Sequence, residues 1–440
     1  MNPSSPRMSA GRFAVGMFGS SIPINMVRAS MLLYYVDLRG LDVRAYGIVM
    51  AIYAVIDAVD NPVLGYFSDR TRSRWGRRRP WLRLAAPLIV ASFIAFFAAP
   101  QSLDGIGLVI WFAVFAILTE AADSMFAANY TSLLPEAFPR EHDRALANAL
   151  RQGFQLLAMV LSVAVTPWLA TQVLGTQDET IGFTRTALIY GAIALVAFFI
   201  FVTGVREDPE RQKETPPGFF HSVGDILRTP LFWAVGIASA CYLIPLAITL
   251  SGMQLYVKYS LSSHVGHTTT IMGVAIAVAA LLLPVWTSLV RRFGAPPVWR
   301  AGFVVLALGY VPMTFAHTLP AAIFGTSIVA IGWSGLLSSN DLIQARILDA
   351  DARRHGVHRE GIFMSAFGVF ARLTGALSGV ALTTLALIYG YYSGENPGEN
   401  PGDAFRLYTA IYPLIFATVG VLISNLIKVP RPGEDLEPAP

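Results

Sequence analysis

Twelve apolar stretches dominate this 440-residue sequence, and each is long enough to cross a bilayer as a helix. A hydrocarbon core of about 30 Å takes roughly 20 helical residues. Because 54% of the residues are hydrophobic and only 14% are charged, the chain is predicted to be an all-α protein integral to a membrane. The stretches fall at 11–36, 45–68, 82–100, 105–134, 146–170, 186–205, 230–257, 266–290, 298–316, 320–345, 362–390 and 404–428.

The longest break between the apolar stretches divides the predicted helices into two sets of six. This break, at 206–229, is charged and contains prolines, as expected of a linker. It separates a predicted N-terminal half, 1–205, from a predicted C-terminal half, 230–428. Residues 429–440 are polar and rich in proline, so they are predicted to form a disordered tail.

A short internal repeat relates the two predicted halves. The motif R-W-G at 74–76 recurs as R-F-G at 292–294, and the same offset of 218 residues relates Trp81 to Trp299. The halves are therefore predicted to be pseudo-symmetric. Repeated halves with a site between them near the bilayer midplane are typical of transporters.

Arginine is dense in the loop between the second and third predicted helices, which predicts that this loop lies in the cytoplasm. Both termini are then cytoplasmic, and the protein is placed in an inner or plasma membrane. The net charge of +4 suits an anionic lipid surface, and no basic patch interleaved with aromatic residues indicates nucleic acid. Cys241 is the only cysteine, so neither a disulfide framework nor a cysteine-rich structural metal site is expected.

Three oxygen-bearing side chains share one face of the second predicted helix. Asp57, Asp60 and Asn61 are spaced three and four residues apart. Charge at bilayer depth is costly and is normally kept at a pathway or a site. These residues are predicted to bind a coupling cation, a proton or sodium, although a structural ion pair with an arginine of a neighbouring helix stays open.

Five further charged residues lie inside predicted helices and are candidates for substrate binding or coupling. Glu120 and Asp123 share one face of the fourth helix, and Arg28, Arg151 and Arg372 lie in the first, fifth and eleventh. The two acids could bind substrate, accept a proton or neutralise an arginine. The guanidinium of arginine also donates paired hydrogen bonds to hydroxyl, carboxylate or phosphate oxygens, so one of the three arginines could contact the substrate directly.

Trp333 lies halfway along the tenth predicted helix, where its indole could stack on a sugar ring or pack in the core.

A polytopic membrane enzyme using His264, His267 and His317 is a weaker interpretation, since no nucleophile or metal set clusters with these histidines. A non-transporting sensor is a third class. No phosphate-binding G-x-x-x-x-G-K-[ST] loop occurs, so a gradient is the expected energy source and no cofactor is predicted.

One segment carries a specific resemblance. The sequence G-Y-F-S-D-R-T-R-S-R-W-G-R-R-R-P-W at 65–81 resembles the loop between helices two and three of the glycoside–pentoside–hexuronide:cation symporter family, which is melibiose permease-like and belongs to the major facilitator superfamily. Further matches are Y-T-S-L-L-P-E at 130–136, R-A-L-A-N-A-L-R-Q at 144–152 and L-D-A-D-A-R-R-H-G-V-H-R-E-G-I-F at 348–363. The resemblance implies the twelve-helix major facilitator fold, alternating access and symport of a sugar-like solute with a cation.

The resemblance assigns roles to single residues only in part. Asp57 falls on the family's first cation-binding acid, but Asn61 occupies the place of the second acid and Asp60 precedes it, so acid and amide are exchanged. Arg151 matches the family's arginine near the substrate, and Arg372 stands near its helix-eleven lysine.

The family's two sugar-binding acids have no counterpart in this chain, because their places fall on Ser21 and Ala127. From the resemblance we expect a monomeric, cation-coupled symporter of a sugar, glycoside or uronide. Because the two acids are missing, a transporter of an anionic or lysolipid-like solute stays open.

A cytoplasmic gate is predicted in which carboxylate–guanidinium contacts break on opening. It comprises Gly65, Asp69, Arg70, Arg77, Arg78 and Arg79.

Overall fold

The computed structural model describes the chain over 8–73, 75–76, 78–138, 140–205, 230–355, 360–394 and 397–427. Over these ranges the chain forms twelve helical rods, α1 to α12, and no strand, which confirms the predicted all-α architecture. The predicted linker 206–229 and tail 429–440 lie outside the described residues.

The twelve rods follow the twelve apolar stretches in order. The first six are α1 (Ala10–Met31), α2 (Val43–Arg70), α3 (Arg79–Phe96), α4 (Gly105–Ala137), α5 (Glu141–Met159) and α6 (Ile181–Gly204). The second six are α7 (Pro230–Leu255), α8 (Thr268–Phe293), α9 (Ala295–Phe315), α10 (Leu319–His355), α11 (Glu360–Tyr389) and α12 (Tyr412–Leu426). Short helical segments, mostly π-helical, lengthen five rods. They are Leu32–Leu38 after α1, Val160–Val165, Thr166–Trp168 and Leu169–Val173 after α5, Tyr256–Ser260 after α7, Val265–His267 before α8, and Pro401–Arg406 and Leu407–Ile411 before α12.

Nine helices in the described part of the chain are long and apolar enough to cross a membrane. The rods outside this set are α1, α2 and α11. Of these, α1 and α2 are less apolar than α4 or α6, and they carry Arg28 and Asp57. Polar groups at this depth need compensating partners, so these two helices are where a site is expected.

The helices belong to two compact units. One comprises Met1–Pro216 with Ser393–Asn396, and the other comprises Pro217–Tyr392 with Pro397–Pro440. Each unit contains six of the rods.

The repeated R-x-G motif has the same backbone role in both units. Gly76 precedes α3 with φ of 112°, and Gly294 precedes α9 with φ of 83°. Both values lie in the region that residues with a Cβ rarely adopt, so each turn requires glycine. The motif therefore marks equivalent turns in the two units.

An aromatic cluster fixes α4 against α1 in the first unit. Phe13 stacks on Tyr130 with ring centroids 4.3 Å apart, and the Tyr130 hydroxyl donates to the Phe13 carbonyl at 2.8 Å. Phe201 of α6 adds an edge-on contact to Phe13 and a tilted contact to Tyr130. Aromatic pairs of this kind are worth about 0.5–1.5 kcal/mol beyond their burial. The cluster sets the register of α4 along α1.

The start of α2 is fixed by a side-chain cap. Asp42 Oδ1 accepts from the backbone N–H groups of Arg44 and Ala45 at 3.0 and 2.9 Å. Such caps stabilise a helix by about 1 kcal/mol. With its first turn fixed, α2 presents Tyr53 and Asp57, which are four residues apart, on one face.

Candidate functional site

An ion pair joins α1 to α4 inside the first unit. Arg28 Nη2 donates to Glu120 Oε1 at 2.9 Å. The second carboxylate oxygen, Oε2, accepts a hydrogen bond from the Tyr53 hydroxyl on α2. Glu120 is 9% exposed whereas Arg28 is 52% exposed. The pair therefore ties three helices together and leaves about half of the Arg28 side chain exposed.

A second polar contact joins the same two helices. The Ser20 hydroxyl of α1 donates to Asp123 Oδ1 of α4. Asp123 and Asp57 also lie close enough to Arg28 to interact with it electrostatically, after Glu120, which interacts most strongly. The guanidinium thus sits among three carboxyl groups, which gives this part of the unit an excess of negative charge.

Asp57 lies beside this cluster and is buried, with 8% exposed. It borders a narrow crevice, whose lining is Tyr53, Ile56, Asp57, Ile117, Glu120 and Ala121. Pockets that bury drug-sized ligands are larger, at about 300–1,000 Å³. This crevice is therefore too narrow for a sugar.

The side chains of the other two members of the predicted cation site are not described. Asp60 and Asn61 belong to α2, but their side chains lie outside the described residues. Among the side chains that are described, no three of the His, Cys, Asp or Glu type are arranged to hold a metal ion. The three-residue cation site of α2 stays a prediction.

Three further predicted substrate residues belong to α5, α10 and α11. Arg151 Nε donates to Asn148 Oδ1 of the same helix at 3.1 Å. Trp333 is partly buried in α10, and its indole N–H has no hydrogen-bond partner among the described residues. The side chain of Arg372 lies outside the described part of α11.

One arginine of the predicted gate forms a buried ion pair. Arg78 Nη1 contacts Glu136 Oε2 at 3.1 Å, with the two side chains 9% and 2% exposed. The pair links the start of α3 to the end of α4. Arg79 is partly buried at the same helix start. The other members of the predicted gate lie outside the described residues: the side chains of Asp69 and Arg70, the packing of Gly65, and the whole of Arg77.

Three contact residues were not predicted from the sequence. Tyr53 lies four residues before Asp57 and so shares its helix face, which the sequence spacing could have indicated. Glu136 ends the L-L-P-E motif and could have been considered as a partner for the arginine-rich loop. Ser20 carries no local signal, since only the packing of α1 on α4 brings it to Asp123.

Comparison with known proteins gives consistent matches along the whole chain. The profile of the family described as MFS/sugar transport protein matches residues 9–431. The chain is 26% identical over 456 residues to the isoprimeverose transporter of Lactiplantibacillus pentosus, covering 99% of this chain and 92% of that protein. It is 23% identical over 421 residues to the glucuronide carrier protein homolog of Escherichia coli, covering 93% and 90%.

Solved structures show the same architecture. The nucleoside transporter NupG superposes with a TM-score of 0.69 at 12% identity, covering 96% of this chain and 99% of that one. At so low an identity the likeness concerns the fold alone.

Proposed function

Because the chain belongs to the MFS/sugar transport protein family, we propose that it is a cation-coupled symporter of a sugar, glycoside or uronide that works by alternating access. The predicted major facilitator fold and the resemblance to glycoside–pentoside–hexuronide:cation symporters are confirmed by the family match and the fold. The protein is an integral membrane transporter rather than an enzyme.

The observation that supports a solute site in the first unit is the accessible Arg28. A guanidinium exposed to lipid would be costly, so the exposed part of Arg28 is expected to face an aqueous route. Glu120 holds one side of the guanidinium at 2.9 Å, and the remaining N–H groups can donate to solute oxygens. Hydroxyl and carboxylate oxygens of a sugar or uronide are suitable acceptors.

The coupling cation is proposed to bind on the acidic side of this cluster. Asp57, with Asp60 and Asn61 of the same helix, would take a proton or sodium at the small crevice beside Glu120. Uptake of a positive charge there would offset the excess of carboxylates around Arg28. Binding of cation and solute would then be linked through one electrostatic cluster.

Residues on other helices are assigned proposed supporting roles. Arg151 and the indole N–H of Trp333 are candidates for further contacts with the solute, and Arg372 for electrostatic linkage between helices. Arg78, paired with Glu136, belongs to the proposed cytoplasmic gate, together with Gly65, Asp69, Arg70, Arg77 and Arg79. The chain would act as a monomer in an inner or plasma membrane with both termini in the cytoplasm.

An anionic or lysolipid-like solute is the second candidate. It is supported by the accessible guanidinium of Arg28 together with Ser21, a neutral residue where the symporter family has a sugar-binding acid. A thermal-stability screen of the purified protein can separate the candidates, using isoprimeverose, methyl glucuronide and lysophosphatidylcholine with and without sodium. Stabilisation by either sugar supports the first candidate, whereas stabilisation by the lysolipid alone supports the second.

We expect Asp57→Asn to lower gradient-driven accumulation of the stabilising solute about tenfold at neutral pH, within the usual range of coupling energies. Asparagine keeps the size of the side chain but removes the negative charge beside the proposed cation position. Uptake into proteoliposomes under an imposed proton or sodium gradient provides the measurement. Unchanged accumulation with unchanged ion dependence would show that the cation assignment to Asp57 is wrong.

A further inference from the structure

Asp123 and Glu120 lie one turn apart on α4 and interact with α1 in different ways. We propose that the coupling ion is a proton and that Asp123 carries it, while Glu120 stays ionised as the fixed partner of Arg28. This inference rests on the proposed symport function. It identifies the ion as a proton and replaces Asp57 by Asp123 as the acid that holds it, while Asp57 contributes a neighbouring negative charge.

Glu120 is poorly suited to exchange a proton during transport. Both of its oxygens are used as acceptors, Oε1 by the Arg28 guanidinium and Oε2 by the Tyr53 hydroxyl. A proton on Oε1 would remove the contact with Arg28, and a proton on Oε2 would force the Tyr53 hydroxyl to accept instead of donate. It would also leave the guanidinium without its closest counter-charge, which is costly in a low-dielectric site.

Asp123 has one oxygen engaged and the other available. Oδ1 accepts from the Ser20 hydroxyl, and Oδ2 has no hydrogen-bond partner among the described residues. The side chain is also only partly buried, so water can reach it. A proton can therefore bind and leave Oδ2 while the contact with α1 through Oδ1 persists.

The second unit makes the same helix contact without an acid. Ser239 of α7 donates to Asn340 Oδ1 of α10 at 3.0 Å, and both residues are buried. The partners are 101 residues apart in this pair and 103 apart in the Ser20–Asp123 pair, on the first and fourth helices of their units. Since a neutral amide satisfies the contact in one unit, the carboxyl group of Asp123 is not needed for packing and adds a proton-binding group.

Asp123 lies among other charged and titratable groups. The charged and titratable groups near it are Arg28 on α1, Asp57 on α2 and Glu120 on its own helix, with Tyr53 of α2 bonded to Glu120. Without Asp123, this group already contains two carboxylates, those of Glu120 and Asp57, and one guanidinium, that of Arg28. Nearby negative charge stabilises the protonated form of an acid. Solute binding at Arg28 would alter this balance and so link solute and proton.

The test compares Asp123→Asn with the matched control Ser239→Ala and with Asp57→Asn in proteoliposomes. Asparagine at 123 can accept from Ser20 as Asn340 accepts from Ser239, so the helix contact is retained. With methyl glucuronide as the probe and a pH gradient imposed, we expect Asp123→Asn to lower accumulation about tenfold or more at every pH. Solute exchange without a gradient should fall by less. Ser239→Ala should accumulate like the unaltered protein.

Asp57→Asn should behave differently from Asp123→Asn. Loss of the neighbouring negative charge weakens proton binding at Asp123, so accumulation should recover when the outer medium is made more acidic. Recovery of Asp123→Asn on acidification would overturn the proposal. So would normal accumulation by Asp123→Asn, an equal loss of accumulation and exchange in that variant, or accumulation driven by sodium without a pH gradient.

A second measurement examines Asp123 without any solute. Infrared difference spectra of the reconstituted protein between acidic and alkaline buffer should contain a carboxylic-acid band that Asp123→Asn removes and Ser239→Ala retains. An identical band in Asp123→Asn would contradict the inference even if no solute is transported. Failure of the unaltered protein to accumulate isoprimeverose or methyl glucuronide, with the band assigned to Asp123, would instead contradict the proposed function.

Discussion

Replacing Glu120 with glutamine is expected to reduce gradient-driven solute uptake about 100-fold, because removing one partner of an ion pair leaves the other charge unbalanced. Glutamine keeps the shape of the side chain and can still accept from Tyr53. It cannot balance the guanidinium of Arg28, which is held at 2.9 Å in the present structure. The arginine would then turn toward Asp123 or Asp57, which lie within electrostatic reach.

The consequence of that re-pairing is a loss of both proposed functions of the cluster. Arg28 would leave the position in which its free N–H groups can meet the solute, and it would occupy an acid needed for coupling. Tyr53→Phe is the matched control, because it removes one hydrogen bond and leaves the ion pair intact. A hydrogen bond to a charged group is worth about 1.5–3 kcal/mol, and the ion pair is retained, so uptake should fall less than in Glu120→Gln.

Initial uptake rates in proteoliposomes, normalised to the amount of folded protein, give the comparison. Arg28→Ala should match Glu120→Gln, because both variants remove the same pair. An unaffected Glu120→Gln variant, or a Tyr53→Phe variant as defective as Glu120→Gln, would show that the ion pair does not position the transport site.

The second large effect is expected on stability, at the buried pair Arg78–Glu136. Glu136→Gln leaves a guanidinium that is 9% exposed without this counter-charge. Breaking a buried pair from one side costs about 3–5 kcal/mol. The thermal midpoint of the purified protein should therefore fall clearly, even though the substitution is small.

Two comparisons make the stability prediction specific. Asp403→Asn breaks the Arg406–Asp403 pair, whose acid is 57% exposed, and should cost at most about 1 kcal/mol. Replacing both Arg78 and Glu136 by leucine should cost less than Glu136→Gln alone, because no buried charge is then left unbalanced. A Glu136→Gln variant as stable as Asp403→Asn would mean that the buried pair contributes no more than an exposed one.

The helices could be predicted from the sequence because apolar length is a local property. All twelve predicted stretches correspond to helical rods, and the glycines of the repeated motif occupy equivalent turns. The intramembrane residues Arg28, Glu120 and Asp123 could be selected as candidates for the same reason, since charge inside an apolar run is visible without tertiary structure.

The pairing of these residues could not be predicted in the same way. Three arginines were possible partners for the acids of α4, and helix spacing alone does not choose among them. Packing of α1 on α4 brings Arg28 to Glu120 and Ser20 to Asp123, whereas Arg151 bonds to Asn148 on its own helix. Contacts between helices distant in sequence depend on register, which the aromatic cluster around Phe13 and Tyr130 sets.

The exchanged pair Asp60 and Asn61 is the part of the sequence pattern that stays a prediction. The resemblance expects a second acid at position 61, and the chain supplies an amide there. A proton-coupled mechanism at Asp123 would be compatible with that departure, because it does not require the oxygen ligands of a sodium site.

Uphill accumulation of solute by the unaltered protein tests the central claim most directly. Purified protein in liposomes would be given radiolabelled isoprimeverose or methyl glucuronide under an inward proton gradient, an inward sodium gradient or no gradient. We predict that at least one of the two solutes accumulates above its external concentration under a cation gradient and that the excess is lost when the gradient is collapsed. Simple equilibration of both solutes under every gradient, or no uptake of either, would contradict cation-coupled symport.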